Sequence, residues 1–142
     1  MSKRKVLVTI SIVIVILAGI YLYVFNETTY TASDVLENVN FSAENPSVSI
    51  HSIDYDKEGL ITEIKIPKET QQELIKAFKN AKFKKITDLP SLDYDYRIKI
   101  TLNTGYAMFL DSEKKSLFIT DTDEAYTMEN DNDFFGILSK LK

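Results

Sequence analysis

Tyr94-Asp95-Tyr96-Arg97-Ile98-Lys99-Ile100-Thr101-Leu102 is the stretch whose reading decides the fold. It alternates without a break, which in a strand sets Tyr94, Tyr96, Ile98, Ile100 and Leu102 on one face. Asn103-Thr104-Gly105 follows, a three-residue turn with glycine at the left-handed position. Folding back there predicts Leu102 opposite Tyr106, Ile100 opposite Met108 and Ile98 opposite Leu110, with Arg97 against Asp111 on the other face. A loop over residues 112–115 then sets Leu110 against Leu117 and Met108 against Ile119. A turn at residues 121–123 sets Ile119 opposite Ala125. This half alone predicts a four-stranded antiparallel meander.

Upstream, residues 47–53 and 60–66 are short β-prone runs joined by Asp54-Tyr55-Asp56-Lys57-Glu58-Gly59, which predicts a hairpin with a longer loop. Pro67 ends the second run and suits a first helical turn. From Lys68 to about Lys82, Leu74, Ala77, Phe78 and Ala81 recur at helical spacing. Glu69 and Glu73 sit early and Lys76, Lys79 and Lys82 late, as the helix dipole favours. Residues 86–93, with Pro90, read as a connecting loop. Downstream, Asp131 or Asn132 caps a short helix bearing Phe134, Phe135, Ile137, Leu138 and Leu141. The order β-β-α-β-β-β-β-α over residues 47–142 is α+β, an antiparallel sheet with helices packed on it.

The rest of the chain is of another kind. Residues 6–25 contain no charge and no proline. At about 1.5 Å per residue such a run spans roughly 30 Å, the thickness of a hydrocarbon core, and lipid forces a lone segment to be helical. Lys3, Arg4 and Lys5 precede it while Asn26 and Glu27 follow, so residues 1–5 are expected in the cytoplasm and the C-terminal part outside. A cleaved signal peptide would have a shorter apolar middle followed by a small-x-small site, and the spacing around Leu17-Ala18-Gly19-Ile20 does not supply one. The chain has no cysteine, which excludes acylation on a thiol as well as disulfides. Residues 26–46 are polar, with a short apolar pattern at Val35, Leu36 and Val39, and read as a tether whose marginal helix Ser33 would cap. Fully extended, that tether would reach about 70 Å.

Charge narrows the function classes. All 21 acidic residues but only 14 of the 17 basic ones follow residue 25, a net charge of −7 there. That balance argues against nucleic acid and against adhesion to anionic lipid. His51 is the sole histidine, four glycines leave no phosphate-binding loop, and no Gly-x-Ser-x-Gly accompanies a serine, so no catalytic residue is assigned. Zinc would need more His or Cys than the chain contains.

Two constellations stand out. Asp54, Asp56, Glu58 and Gly59 match the opening of a calcium loop, but Lys65 stands where the closing bidentate Glu belongs; a solvated hairpin loop explains the same residues. In the expected register, Phe109, Phe118 and Tyr126 form one row on the face opposite the aliphatic one. Either Phe134 and Phe135 or the 35–39 segment cover that row, or it is a partner-binding surface, because aromatic residues anchor interfaces.

The inside-basic anchor, the absence of disulfides and the lysine-, isoleucine- and asparagine-rich composition resemble small membrane-anchored extracytoplasmic α+β proteins of Gram-positive bacteria. The resemblance is one of layout and brings no site residue with it. The expected function is a membrane-tethered binding or accessory module without catalysis, with a protein or peptide partner outside the membrane. The alternatives are a small envelope hydrolase working through carboxylates and a structural subunit whose anchor packs in a membrane complex.

Overall fold

The apolar run forms one continuous helix, α1 (Lys3–Phe25). The hydroxyls of Thr9 and Ser11 are satisfied within the helix, Thr9 Oγ1 donating to the Lys5 carbonyl at 2.9 Å and Ser11 Oγ to the Leu7 carbonyl at 3.0 Å. The rest of the chain buries none of its side chains between Lys3 and Tyr23, and a mean hydropathy of 2.7 makes the helix long and apolar enough to cross a membrane. The structure, a computed structural model, describes residues 3–25, 28–58, 60–88, 93–129 and 133–141.

Beyond α1 the elements are β1 (Tyr30–Thr31), α2 (Ala32–Val35), β2 (Ser47–Asp54), β3 (Leu60–Ile64) and α3 (Lys68–Asn80). After them come β4 (Lys82–Lys85), β5 (Tyr96–Thr101), β6 (Gly105–Asp111), β7 (Ser116–Ile119), β8 (Glu124–Glu129) and α4 (Phe134–Ser139). The strands make one eight-stranded sheet in the order β1-β4-β8-β7-β6-β5-β2-β3, and every neighbouring pair is antiparallel. The α+β class and the order of the expected elements hold, with two strands added. The helix expected to reach about Lys82 ends at Asn80, because Ala81 is extended (φ −71, ψ 157) and the next four residues join the sheet as β4. Lys82-Phe83-Lys84 is too short a pattern to announce a strand, but Phe83 is wholly buried and β4 pairs along β8.

The registers settle which residues share a face. The β6–β7 pairing is the expected one, Leu110 with Leu117 and Met108 with Ile119. Between β5 and β6 the turn is Leu102-Asn103-Thr104, one residue earlier than expected, so Ile98 meets Met108 and Ile100 meets Tyr106. A shift of two in pairing keeps every side chain on its face, but it sets Arg97 opposite Phe109 instead of Asp111. Gly105 opens β6 opposite Thr101 and is not left-handed. The turn is held from outside: Asn103 Oδ1 accepts from the Asn40 amide at 2.8 Å and Asn103 Nδ2 donates to the Asn38 carbonyl at 2.9 Å.

Those contacts come from the segment expected to be a tether. Within residues 28–46, Tyr30 pairs with Phe83, and Ala32, Val35 and Leu36 are no more than 1% exposed. Val39, Phe41 and Ala43 pack against the same core, and the Tyr106 hydroxyl donates to the Glu37 carbonyl at 3.0 Å. The tether reading is corrected for these residues: the short Val35–Leu36–Val39 pattern docks on a sheet whose strands lie far along the chain. The cap of α2 is Thr31, whose amide and hydroxyl both donate to Asp34 Oδ2 at 2.7 and 2.6 Å, and not Ser33.

The core lies between one face of the sheet and α2, α3 and α4. Val48 and Ile50, Tyr96, Ile98 and Ile100, Met108 and Leu110, Leu117 and Ile119, Tyr126 and Met128, and Phe83 form its floor. Leu74 and Phe78 of α3 and Phe134, Phe135 and Leu138 of α4 form its roof. Aromatic contacts join the two, with ring centroids of Phe78 5.1 Å from Phe83 and 5.7 Å from Phe134. The expected caps of α4, Asp131 and Asn132, lie outside the described residues, and Asp133 occupies the N-cap position.

Candidate functional site

With α2, α3 and α4 on one face, no described helix covers the other. The pairings trace a single row across it: Glu63 of β3, His51 of β2, Arg97 of β5, Phe109 of β6, Phe118 of β7 and Ala125 of β8. Charged and hydrogen-bonding side chains occupy one half of the row and apolar ones the other. Lys99, Ser49 and Ala107 form the adjoining row.

Two of the three residues of the expected aromatic row, Phe109 and Phe118, share this face, and Tyr126 does not. Phe109 and Phe118 are direct partners on this open face, and both are half-buried. Tyr126 is on the opposite face, opposite Leu117 and 2% exposed. The cause is the β7–β8 connection, which includes Thr120 and runs through Asp123 with a left-handed backbone (φ 55); one extra residue turns every side chain of β8 over. Tyr126 instead packs near Phe83 (6.4 Å) and Tyr30 (5.7 Å), and its hydroxyl donates to Glu124. Phe134, Phe135 and Val35, expected as covers for the open-face row, lie in the core on the other side.

Tyr94 takes the third place on the open face. The expected alternation ends at Tyr96, where β5 begins, and Tyr94 crosses to the opposite side, its ring centroid 5.4 Å from that of Phe109 and 6.3 Å from that of Phe118. Two carboxylates hold the segment that carries it. Asp111, 2% exposed, accepts from the Asp93 amide at 3.2 Å and the Lys114 amide at 2.9 Å. Asp95 accepts from the Ser112 amide at 2.9 Å and also from the Ser112 hydroxyl. Burial, with Tyr55 and Asp111 nearby, pushes the Tyr94 hydroxyl above its ordinary range.

These groups line a cleft of about 370 Å³ at one end of the sheet, between Tyr55, Tyr94, Asp95, Asp111 and Glu113. The Asp95 and Asp111 carboxylates are already acceptors for the backbone, so they serve as braces for Tyr94 and the β6–β7 loop. Nothing in the local sequence singles out Tyr94, because its position depends on Asp111 and Ser112, far along the chain.

The acidic hairpin loop is placed differently. Asp54 Oδ1 accepts from the Asp56 amide at 3.1 Å and its other oxygen lies 3.5 Å from Lys57 Nζ. Asp56 and Glu58 are exposed, and Gly59 lies outside the described residues. Among the described residues no three His, Cys, Asp or Glu side chains are grouped so as to hold a metal ion. His51 is half-buried between Glu63 and Arg97 on the open face.

Compared with models of protein families, with curated proteins and with solved structures, the chain matches none of them.

Proposed function

We propose that the protein is a membrane-tethered binding module that works without catalysis. In this reading α1 spans the bilayer with Lys3, Arg4 and Lys5 on the cytoplasmic side, and the sheet domain stands outside. The open face docks a protein or peptide partner. The observation that carries the proposal is the cluster of Tyr94, Phe109 and Phe118 on a sheet face that no described helix covers. Half-buried aromatic groups ringed by charged side chains are the usual make-up of an interface, an apolar centre with a polar rim. Arg97, Lys99 and His51 supply one side of that rim, and Asp93, Asp95 and Glu113 supply the other. A tether raises local concentration at the membrane, so modest affinity suffices.

The test uses the full chain in its native membrane with a photo-crosslinking residue in place of Phe109. A discrete adduct is expected, and Phe118→Glu should abolish it while changing the melting temperature by only a few degrees. Loss of fold in Phe118→Glu would show that the ridge is structural and would overturn the proposal. Turnover of a cell-wall polymer by the purified chain would replace binding by hydrolysis. Exchange of α1 for a polyleucine helix should leave the adduct intact; its loss would favour a subunit held through its anchor.

A further inference from the structure

The net charge of the domain hides a local reversal. Residues 74–87 contain five lysines and no acid, in a domain that is otherwise acidic. They form the second half of α3 and the whole of β4, so Lys76, Lys79, Lys82, Lys84 and Lys85 gather at one edge of the sheet. Lys84 lies 2.9 Å from Glu129, and Lys85 pairs with Glu124. Lys76, Lys79 and Lys82 are exposed, and no ion pair among the described residues involves them. Lys76 shares a cleft with Glu73, Asp133 and Lys140, so Asp34, Glu73, Glu124, Glu129 and Asp133 stand against six lysines, an excess of one positive charge on this side. All other residues from 28 onward hold 15 acids against eight basic residues.

That same edge is where the chain arrives from α1. Phe25 ends the helix and Tyr30 is already paired with Phe83, with Thr31 opposite Lys82. Five residue steps reach at most about 18 Å, against the roughly 70 Å of a free 26–46 tether. Of all the surfaces of the domain, the short connection keeps β1 and β4 nearest the end of α1. The opposite edge, β3, is seven strand spacings away, about 34 Å. The hairpin loop bearing Asp54, Asp56 and Glu58 is on that far side.

We infer that the β1–β4 edge, with the end of α3, rests on the anionic phosphate headgroups of the bilayer that α1 enters. Lys76, Lys79 and Lys82 make the contact, and the sheet stands on this edge with β3 outermost. The inference rests on the reading of α1 as a membrane span. Its consequence is positional: the aromatic cluster on β6 and β7 stands about 15–20 Å from the headgroups, beside the membrane and open to a partner that is itself membrane-bound. Exposed lysines near anionic lipid gain from the surface potential only within about one Debye length, roughly 10 Å at 0.1 M salt, so the contact is salt-sensitive.

The absence of native cysteine makes the test direct. The full chain, carrying Asn80→Cys or Thr62→Cys with a spin label, is placed in nanodiscs of phosphatidylcholine alone or with one-third phosphatidylglycerol. Contact is read as relaxation by a paramagnetic metal chelated to a headgroup. The label at position 80 should show several-fold stronger relaxation in the anionic discs. It should fall to the zwitterionic level in 0.5 M salt and in a Lys76→Gln, Lys79→Gln, Lys82→Gln variant. The label at position 62 should show neither effect. Equal relaxation at position 80 in both discs, with the chain inserted, overturns this inference alone. A chain that enters neither disc overturns the span and this inference with it.

Discussion

Phe83 and Phe118 are the same residue in the same sheet, with one strand between their own, yet they occupy opposite surroundings. Phe83 is wholly buried, with Phe78 of α3 5.1 Å away and Tyr126 at 6.4 Å. Phe118 is half-buried, paired with Phe109 and touched by Tyr94, a residue of a connecting segment. The difference follows from what surrounds each on its face. The inner face is apolar from Ile50 through Ile98, Met108 and Leu117 to Tyr126 and Phe83, which is the surface an amphipathic helix needs. The outer row begins Glu63, His51, Arg97 before it reaches Phe109, so a helix laid across it would bury charge without partners. An aromatic side chain is therefore core or surface according to its row, and the row is set by register.

The strongest test of that contrast is truncation on each face. Phe83→Ala should cost about 3–5 kcal/mol, because it leaves a cavity among Phe78, Tyr126 and the floor of the sheet. Urea unfolding of the full chain in detergent, followed by circular dichroism, would measure it. Leu36→Ala should come next, at about 2–5 kcal/mol. A cost near zero there would restore the 28–46 segment to the role of a tether. Phe118→Ala should cost only about 1 kcal/mol, since the site is half open and Tyr94 can settle into part of the space. If Phe118→Ala proved as damaging as Phe83→Ala, the two faces would not differ as described.

The smallest effect is one of pH and lies at the β8 edge. Hydrogen bonds from Lys85 and Tyr126 hold the Glu124 carboxyl below its ordinary 4.5. A group with a lowered folded pKa contributes stability that is present above the unfolded value and lost as pH falls through the folded one. The melting temperature should therefore decline slightly more steeply in acid for the native chain than for Glu124→Gln. Burial and the bond to Glu124 push the Tyr126 hydroxyl upward, so its contribution is complete below its ordinary 10.0 and lost at more alkaline pH. Tyr126→Phe should flatten the alkaline limb of the same curve.

Much of this was legible locally. The α1 run, the α3 periodicity, the β6–β7 register and the α+β class depend on spacing that neighbouring residues supply. Position 94 shows the limit. Alternation alone puts Tyr94 with Tyr96, whereas bonds from residues 93 and 112 to the carboxylates of Asp111 and Asp95 carry it to the other face. Position 126 shows a second limit, because a one-residue change in a turn has little local signature and reverses a whole strand. Of the candidate face, Phe109 and Phe118 could be found from pattern; Tyr94, and the exclusion of Tyr126, could not.

The sequence by itself determined the anchor-like helix, the periodicities and the absence of cysteine, because these are properties of consecutive residues. Tertiary structure decided that residues 30–36 belong to the sheet and its core, that the helices share one face, and that five lysines gather at the edge where the chain arrives. The physical reason is common to all three: each depends on backbone pairing or burial between segments far apart in the chain, and such pairing adds free energy that no local preference records.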